Sequence, residues 1–404
     1  MKKIILFFIM LFCFNGVNAS SGVGAKIGNI YYDTLEDAIN ASSSKDTITL
    51  TGNTVLDETL EINKTVNINL NNYNIEAKNK VFIVHGGSLN LSGKGKIIET
   101  EPYYGAITLT GSDSKDDKDF TTISVGKDIT LVGWSGIFIN HINNTAYGIL
   151  VNMDGTINAV NDIDNGTGIG IYTNGNIKNL DSAPIINLSN TTKITSTGNG
   201  IYSAGYATYN INGAYIEGVE SGLGIKSGKF NINDATIIGS GSDKTPTSGN
   251  NNGINASGTA IQIESNIGYK GNIELNIKDG NFTSKNSYVI YEYVVNGNDT
   301  KMSDINISGG KFVSNADKDV INVSNYLKSK HSKFISGGLY SSDVSSFLKD
   351  GFTLEKNNDL YEVITNTIST FKEEENSKKT VIPIILSILF ISSIGIFIYI
   401  KKKH

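Results

Sequence analysis

Hydrophobic and polar positions alternate with a period of two over many short segments of the chain. Residues 47–50, 66–70 and 88–91 show the alternation clearly, with Gly and Asn residues between such segments. A period of two predicts strands that bury one face, and Gly and Asn predict the turns between them. We therefore expect the central part of the chain to be all-β.

Two short phrases recur along these predicted strands. The first is a small or β-branched residue followed by Ile, at Gly148-Ile149, Gly170-Ile171, Gly200-Ile201, Gly224-Ile225, Ala260-Ile261, Val289-Ile290 and Val320-Ile321. The second, apolar-x-x-small-x-apolar, begins at Leu188, Ile211, Ile232, Ile277, Ile307 and Ile335. Two phrases in a period of roughly 20–35 residues are typical of the stacked coils of a solenoid. Residues 126–144 resist this register, because Gly136-Ile137 lies only 12 residues before Ile149.

Asparagine stands between apolar residues at corresponding places in several predicted coils. The positions are Asn210, Asn231, Asn276 and Asn306. Their side-chain amides can bond to one another along the stack as a ladder. Since the apolar neighbours point inward, asparagines that simply face outward are an equal alternative.

Short segments at both ends of the solenoid have a different pattern. Thr34 with Asp37 predicts the N-terminal cap of a helix whose apolar face covers the first coil, within a cap of residues 20–45. The β-helix is predicted at 46–340, followed by a C-terminal cap with a hairpin at 341–364. Residues 240–253 predict a loop that protrudes from the stack.

The termini are predicted to be targeting segments. Residues 1–19 have the charged start, apolar centre and small-residue end of a signal peptide. A charged stalk at 365–380 leads to an uncharged transmembrane helix at 381–400 and a Lys-rich cytoplasmic tail at 401–404. No Leu-Pro-x-Thr-Gly sorting signal precedes that helix. We therefore expect a single-pass protein of the cell membrane, with its large domain outside the cell.

The composition argues against nucleic-acid binding and against disulfide bonds. The net charge is -5, and every Lys or Arg position is Lys. Such a chain lacks the basic patch expected of a nucleic-acid-binding protein. The single Cys, Cys13, lies in the predicted signal peptide, so we expect no disulfide in the mature chain.

The motifs at the two ends of the predicted solenoid resemble a known family. Residues 30–39 with 46–50 behind them, and residues 335–344 at the other end, are similar to the pectin-lyase-like right-handed parallel β-helix repeat proteins on Gram-positive surfaces. The resemblance implies an all-β, right-handed, single-stranded parallel β-helix, but these motifs carry no catalytic residue. Enzymes of that fold use Arg, which is missing here, so we predict no catalytic residue. A non-enzymatic adhesin is the first hypothesis, with a polysaccharide lyase or hydrolase and a structural envelope protein as alternatives.

Metal and acid–base chemistry have weak candidates. His85 matches only part of a Gly-His-Gly motif, and a turn histidine is the simpler interpretation. The acidic loop with Asp113, Asp116, Asp117 and Asp119 offers oxygen ligands for calcium, although a solvated charged loop explains it better. In residues 162–166, an Ile occupies a position that a calcium loop needs for oxygen. We therefore predict no cofactor and leave calcium as an alternative.

Tyrosine residues are the best candidates for binding a ligand. If the Ile of the first phrase faces inward, the next residue faces outward, which places Tyr172 and Tyr202 on adjacent coils. Tyr206 and Tyr209 follow closely. An exposed row of aromatic rings is suited to stacking on the sugars of an extracellular glycan, and a protein ligand is the alternative. Tyrosines that only cover the sheet are the simpler explanation, as is core packing for Trp134, the only Trp.

Overall fold

The computed structural model describes residues 24–140, 146–160, 167–174, 180, 182–244, 257–294, 303–323 and 332–366. An α-helix, α1, spans Leu35–Ala41, and a 3-10 helix spans Ser345–Phe347. The strands in chain order are β1 (Ala25–Ile27), β2 (Ile30–Tyr32), β3 (Thr47–Leu50), β4 (Thr54–Leu56), β5 (Leu60–Ile62), β6 (Thr65–Asn69), β7 (Ile75–Ala77), β8 (Phe82–His85), β9 (Ser88–Ser92), β10 (Gly95–Glu99), β11 (Gly105–Thr110), β12 (Thr121–Val125), β13 (Ile129–Gly133), β14 (Ser135–Asn140), β15 (Ile149–Met153), β16 (Thr156–Ala159), β17 (Ile169–Asn174), β18 (Ile185–Leu188), β19 (Lys193–Ser196), β20 (Asn199–Ser203), β21 (Thr208–Asn212), β22 (Tyr215–Gly218), β23 (Ser221–Ile225), β24 (Gly228–Asn233), β25 (Ala235–Gly239), β26 (Thr259–Ser265), β27 (Ile273–Ile277), β28 (Gly280–Ser284), β29 (Ile290–Val294), β30 (Ser303–Ile307), β31 (Lys311–Ser314), β32 (Ile321–Asn322), β33 (Leu339–Tyr340), β34 (Phe352–Asn357) and β35 (Leu360–Thr365).

Consecutive strands belong to three different sheets in turn. Sheet A runs from β3 through β6 and β9 to β30, sheet B from β4 through β7 to β31 and β33, and sheet C from β5 through β8 to β32. From β3 to β29, each strand pairs in parallel with the strand three places later in the chain, as β17 does with β20. This is the topology of a parallel β-helix with three strands in each coil. The prediction of two strand phrases per coil therefore missed one sheet, and right-handed winding stays a prediction.

The apolar residues of the three sheets converge on one continuous core. Ile171 and Ile201, in register on β17 and β20, are both buried there. Aromatic rings stack along the axis in the same interior: Phe312 lies 4.6 Å from Phe282 and 4.9 Å from Tyr340, measured between ring centroids. The alternating pattern seen in the sequence thus fills a single elongated core.

The first phrase marks sheet C only in part. Gly148-Ile149 lies instead at the start of β15 in sheet A, and Gly224-Ile225 is two residues out of register. In the row of aligned positions, Ala260, Val289 and Val320 keep the register, and glycine stands at Gly136, Gly170, Gly200 and Gly222. A Cβ at these four glycines would lie 2.3–2.5 Å from the Cγ2 of Ile157, Ile194, Ile216 and Ile237 respectively. In these four coils, sheets B and C approach so closely at the corner that a side chain on the glycine would clash. Residues 126–140, left unassigned from the sequence, supply β13 and β14 in ordinary register.

The second phrase is in register throughout sheet A. Leu188, Ile211, Ile232, Ile277 and Ile307 are successive partners, and Ile335 continues the row by an isolated bridge. One place earlier on these strands, asparagine side chains form the predicted ladder. The Nδ2 groups of Asn210 and Asn231 each donate to the preceding asparagine at 2.9 and 3.0 Å. The ladder lies on the outer face of sheet A, so both sequence interpretations hold together.

The two ends of the stack are built as the local patterns predict. The Thr34 side chain accepts from the Asp37 backbone N–H at 3.0 Å and caps α1. At the other end β34 and β35 form an antiparallel hairpin that pairs with β33. The predicted signal peptide, most of the stalk, the transmembrane helix and the cytoplasmic tail lie outside the described residues. In the part of the chain that the structure describes, no helix is long and apolar enough to cross a membrane.

Candidate functional site

Aromatic side chains form a row on the outer face of sheet C. Phe138, Tyr172 and Tyr202 are register partners on β14, β17 and β20, each one residue after an inward Ile. Their rings are nearly parallel, with centroid distances of 4.9 Å between Phe138 and Tyr172 and 5.1 Å between Tyr172 and Tyr202. The spacing follows from the distance between neighbouring strands, which places equivalent side chains one above another.

Two further rings extend this row at its N-terminal end. Trp134 meets the ring of Tyr172 edge-on at 5.8 Å, and Tyr103 lies 5.7 Å from Trp134. Tyr103 is 65% exposed, whereas Trp134, Phe138 and Tyr172 are half-buried. We call Tyr103, Trp134, Phe138, Tyr172 and Tyr202 the aromatic strip. Its N-terminal part presents aromatic surface to solvent.

The C-terminal end of the aromatic strip is covered. Tyr202 is only 3% exposed, so the expectation that it faces solvent is wrong. The segment after β26 contributes Tyr269, which packs in the same small cluster, and the Lys226 Nζ lies over both rings at 5.4 and 5.0 Å from their centroids. Burial, with the neighbouring Tyr269 and Tyr172, raises the pKa of Tyr202.

The other two predicted tyrosines lie elsewhere. Tyr209 belongs to the core, is 0% exposed and stacks on Phe230 at 4.4 Å, so it has no place on a binding surface. Its hydroxyl shares a hydrogen bond of 3.0 Å with Thr173 Oγ1, and burial raises its pKa to about 12. Tyr206 is half-buried against the backbone at Gly271.

Three strip residues were not among the sequence candidates. Phe138 follows Gly136-Ile137, the copy of the first phrase that could not be placed. Aligning this copy with Gly170-Ile171 would have placed Phe138 beside Tyr172. Trp134 was assigned to packing, and it does pack, but on the outer face. For Tyr103 no repeated signal exists, because it lies in the turn between β10 and β11 with a backbone φ of 70°.

A buried polar cluster adjoins the covered end of the aromatic strip. Lys226 Nζ lies 2.6 Å from Glu264 Oε2, with exposures of 3% and 1%. Tyr293 donates its hydroxyl proton to Glu264 Oε2 at 3.0 Å, and Asn266 Nδ2 donates to Glu264 Oε1 at 3.0 Å. Burial lowers the pKa of Lys226, and the nearby carboxylate of Glu264 opposes that change. An ion pair removed from water in this way is costly unless its hydrogen bonds are complete.

A groove of about 590 Å³ lies on a different face, between the acidic loop and sheet A. Leu150 and Ile185 form its floor, and Lys115, Asp116 and Asp119 its wall. Among the residues that the structure describes, no group of three His, Cys, Asp or Glu side chains is placed to hold a metal ion. His85 packs edge-on against Phe120 at 5.1 Å.

Comparison with known proteins adds no relative. No protein-family model, no curated protein and no solved structure matches the chain at a significant level.

Proposed function

We propose that this chain is a membrane-anchored bacterial surface protein that binds a glycan, without cleaving it, through the exposed part of the aromatic strip. The observation that carries the proposal is the row of Tyr103, Trp134, Phe138 and Tyr172, which are partly exposed on one face. Aromatic rings at a surface bury the apolar faces of sugars while hydroxyl groups stay hydrated.

The regular stack of coils beneath the strip favours an extended ligand that contacts several coils at once. The rings of Phe138 and Tyr172 are held by stacking on each other and by the parallel strands that carry them, so these side chains lose little freedom when a ligand binds. Successive coils repeat at the strand spacing, which suits an extended polymer more than a small compact molecule.

The remaining features of the proposal come from the sequence. The signal peptide at 1–19 and the apolar segment at 381–400 support secretion and anchoring. The resemblance to pectin-lyase-like surface proteins supports a right-handed β-helix and a Gram-positive cell. The same fold hosts polysaccharide lyases and hydrolases, but the chain has no Arg for their usual constellations. A structural envelope protein is the remaining alternative.

The test is a glycan array probed with a soluble domain, residues 20–366, while each hit is watched for breakdown products. We expect binding without cleavage, weakened about fivefold or more by Trp134→Ala or Tyr172→Ala, if a sugar stacked on a ring is worth about 1–3 kcal/mol, as a stacked nucleic-acid base is. Tyr31→Ala is the control, since Tyr31 is an aromatic residue with 66% exposure but lies on β2 in sheet A, outside the strip. Cleavage of a polyuronate would favour the lyase, and silence on every glycan would refute the proposal.

A further inference from the structure

Lys226, Glu264 and Asn266 bring an amine, a carboxyl group and a primary amide together in the buried polar cluster beside the aromatic strip, outside the core. The two oxygens of Glu264 are shared: Oε2 lies 2.6 Å from Lys226 Nζ, and Oε1 accepts from Asn266 Nδ2 at 3.0 Å. One carboxyl group therefore touches both the nucleophilic nitrogen and the nitrogen that would leave.

The amide of Asn266 is also polarised from the other side. Its Oδ1 accepts a hydrogen bond of 2.8 Å from the backbone N–H of Gly268. Such a donor stabilises the negative charge that develops on a carbonyl oxygen under attack. The hydrogen bond also holds the side chain in one orientation.

The surroundings keep water away and favour a neutral amine. Lys226, Glu264 and Asn266 are all at least 97% buried, and the rings of Tyr202 and Tyr269 enclose the Lys226 side chain. Burial lowers the pKa of Lys226 although the carboxylate of Glu264 opposes that change, and the same carboxylate lies within reach of the Lys226 proton. Hydrolysis does not compete in a site without bulk water.

We propose that Lys226 and Asn266 form an intramolecular isopeptide bond with Glu264 as the proton carrier. The ammonium of Lys226 gives one proton to Glu264, and the free amine attacks Cγ of Asn266. A second proton of the amine passes through Glu264 to Nδ2. The Cγ–Nδ2 bond then breaks, ammonia leaves, and an Nζ–Cγ amide remains, with no oxidant or external reactant needed.

The bond would join two neighbouring coils outside the core. Lys226 directly follows β23, and Asn266 directly follows β26, which are paired strands of sheet C. The segment enclosed between them contains the long polar excursion predicted at 240–253. The crosslink would therefore join the two coils on either side of this predicted loop, independently of what the aromatic strip binds.

Peptide mapping of the full-length chain tests this proposal. The chain is extracted from membranes, denatured and digested with trypsin, and the peptides are analysed by mass spectrometry. We expect no cleavage after Lys226, and a linked pair carrying Lys226 and Asn266 that is lighter than its two free peptides by one ammonia. Recovery of both peptides free and unmodified from folded protein would overturn the proposal, as would a link from Lys226 to Gln262 or Asn199, which together with Lys226 line a small cavity.

Two variants separate the chemistry from the fold. Glu264→Gln keeps the shape of the side chain but cannot carry the proton, so the linked peptide should be lost. Lys229→Met is the matched control: Lys229 pairs with Glu274 at 3.1 Å on the half-exposed face of sheet A and should leave the link intact. Persistence of the link in Glu264→Gln would refute the role of Glu264. If this variant does not fold, the wild-type peptide map alone decides.

Discussion

The four aligned glycines at the corner between sheets B and C allow a quantitative prediction of how Gly200→Ala changes the free energy of unfolding. An added Cβ would lie 2.4 Å from Ile216 Cγ2 and 2.6 Å from the Gly222 carbonyl oxygen. Overpacking of a core by one methyl group costs about 1–3 kcal/mol, and two such short contacts place this site at the upper end. The lower entropy of Ala in the unfolded chain returns about 0.4–1 kcal/mol. We expect a net loss of about 2 kcal/mol.

Hydrogen exchange is the appropriate assay because a solenoid opens locally. In Gly200→Ala, amides of β17, β20 and β23 should exchange roughly 30-fold faster than in the parent protein, which is the equivalent of about 2 kcal/mol. Amides of β6 and β9, several coils away, should keep their rates. If the exchange rates of all these amides rose equally, each coil would not be stabilised mainly by its nearest neighbours.

Two companion variants test the cause. Gly126→Ala meets its nearest atom, the Leu91 carbonyl oxygen, only at 3.1 Å, so its effect should be below about 1 kcal/mol. Ile216→Leu removes the Cγ2 that the added methyl meets, and should restore part of the stability of Gly200→Ala. If Gly200→Ala exchanges like the parent, close approach of the two sheets does not explain the repeated glycine.

Three further predictions concern polar side chains that form hydrogen bonds or carry a shifted pKa. Tyr209→Phe removes the hydrogen bond to Thr173 and should lower the free energy of unfolding by about 1–2 kcal/mol in denaturant titrations, with little change in the core stack. Asn187→Ala breaks ladder bonds to Asn152 and Asn210 and should cost about 1–2 kcal/mol, measured the same way, whereas no loss would mean that water replaces the amide. Burial raises the pKa of Glu99 from 4.5 to about 7, so the folded protein holds this proton more tightly and stability should fall as the pH rises from about 4.5 through 7. Glu99→Gln should flatten that fall in unfolding curves recorded at several pH values, and an unchanged slope would exclude Glu99 as its source.

The all-β fold and the second phrase could be predicted because both depend on local alternation. Leu188, Ile211 and Ile232 have the same neighbours in sequence and in space, so their register in sheet A follows from the pattern. The first phrase misled because Gly224-Ile225 looks locally like Gly200-Ile201. Only the distance to an Ile of sheet B determines which glycine lies at the corner, and that contact is long-range.

The candidate site was only partly predictable for a related reason. Alternation correctly places Tyr172 and Tyr202 on the outer side of sheet C. The alternation contains no information on which other segment covers that side of the sheet. In the structure, the segment with Tyr269 packs over Tyr202 and Lys226. An outward position on a strand is thus a statement about direction, while exposure depends on the rest of the chain.

The asparagine ladder gives the stack a dipole along its axis. The bonds from Asn90 to Asn67 and along the row from Asn276 to Asn152 all run the same way, from the later coil to the earlier one, so these amide dipoles add along the axis. At the early end Asn67 donates to the carbonyl oxygens of Ser44 and Asp46, and at the late end the Lys349 ammonium donates to Asn306. The polarity resembles that of a helix with a cation at its C-terminal end. In the uninterrupted row from Asn152 to Asn276, a coil duplicated or deleted would leave these amides with partners, so evolution can change the length of this rod more freely than its two ends.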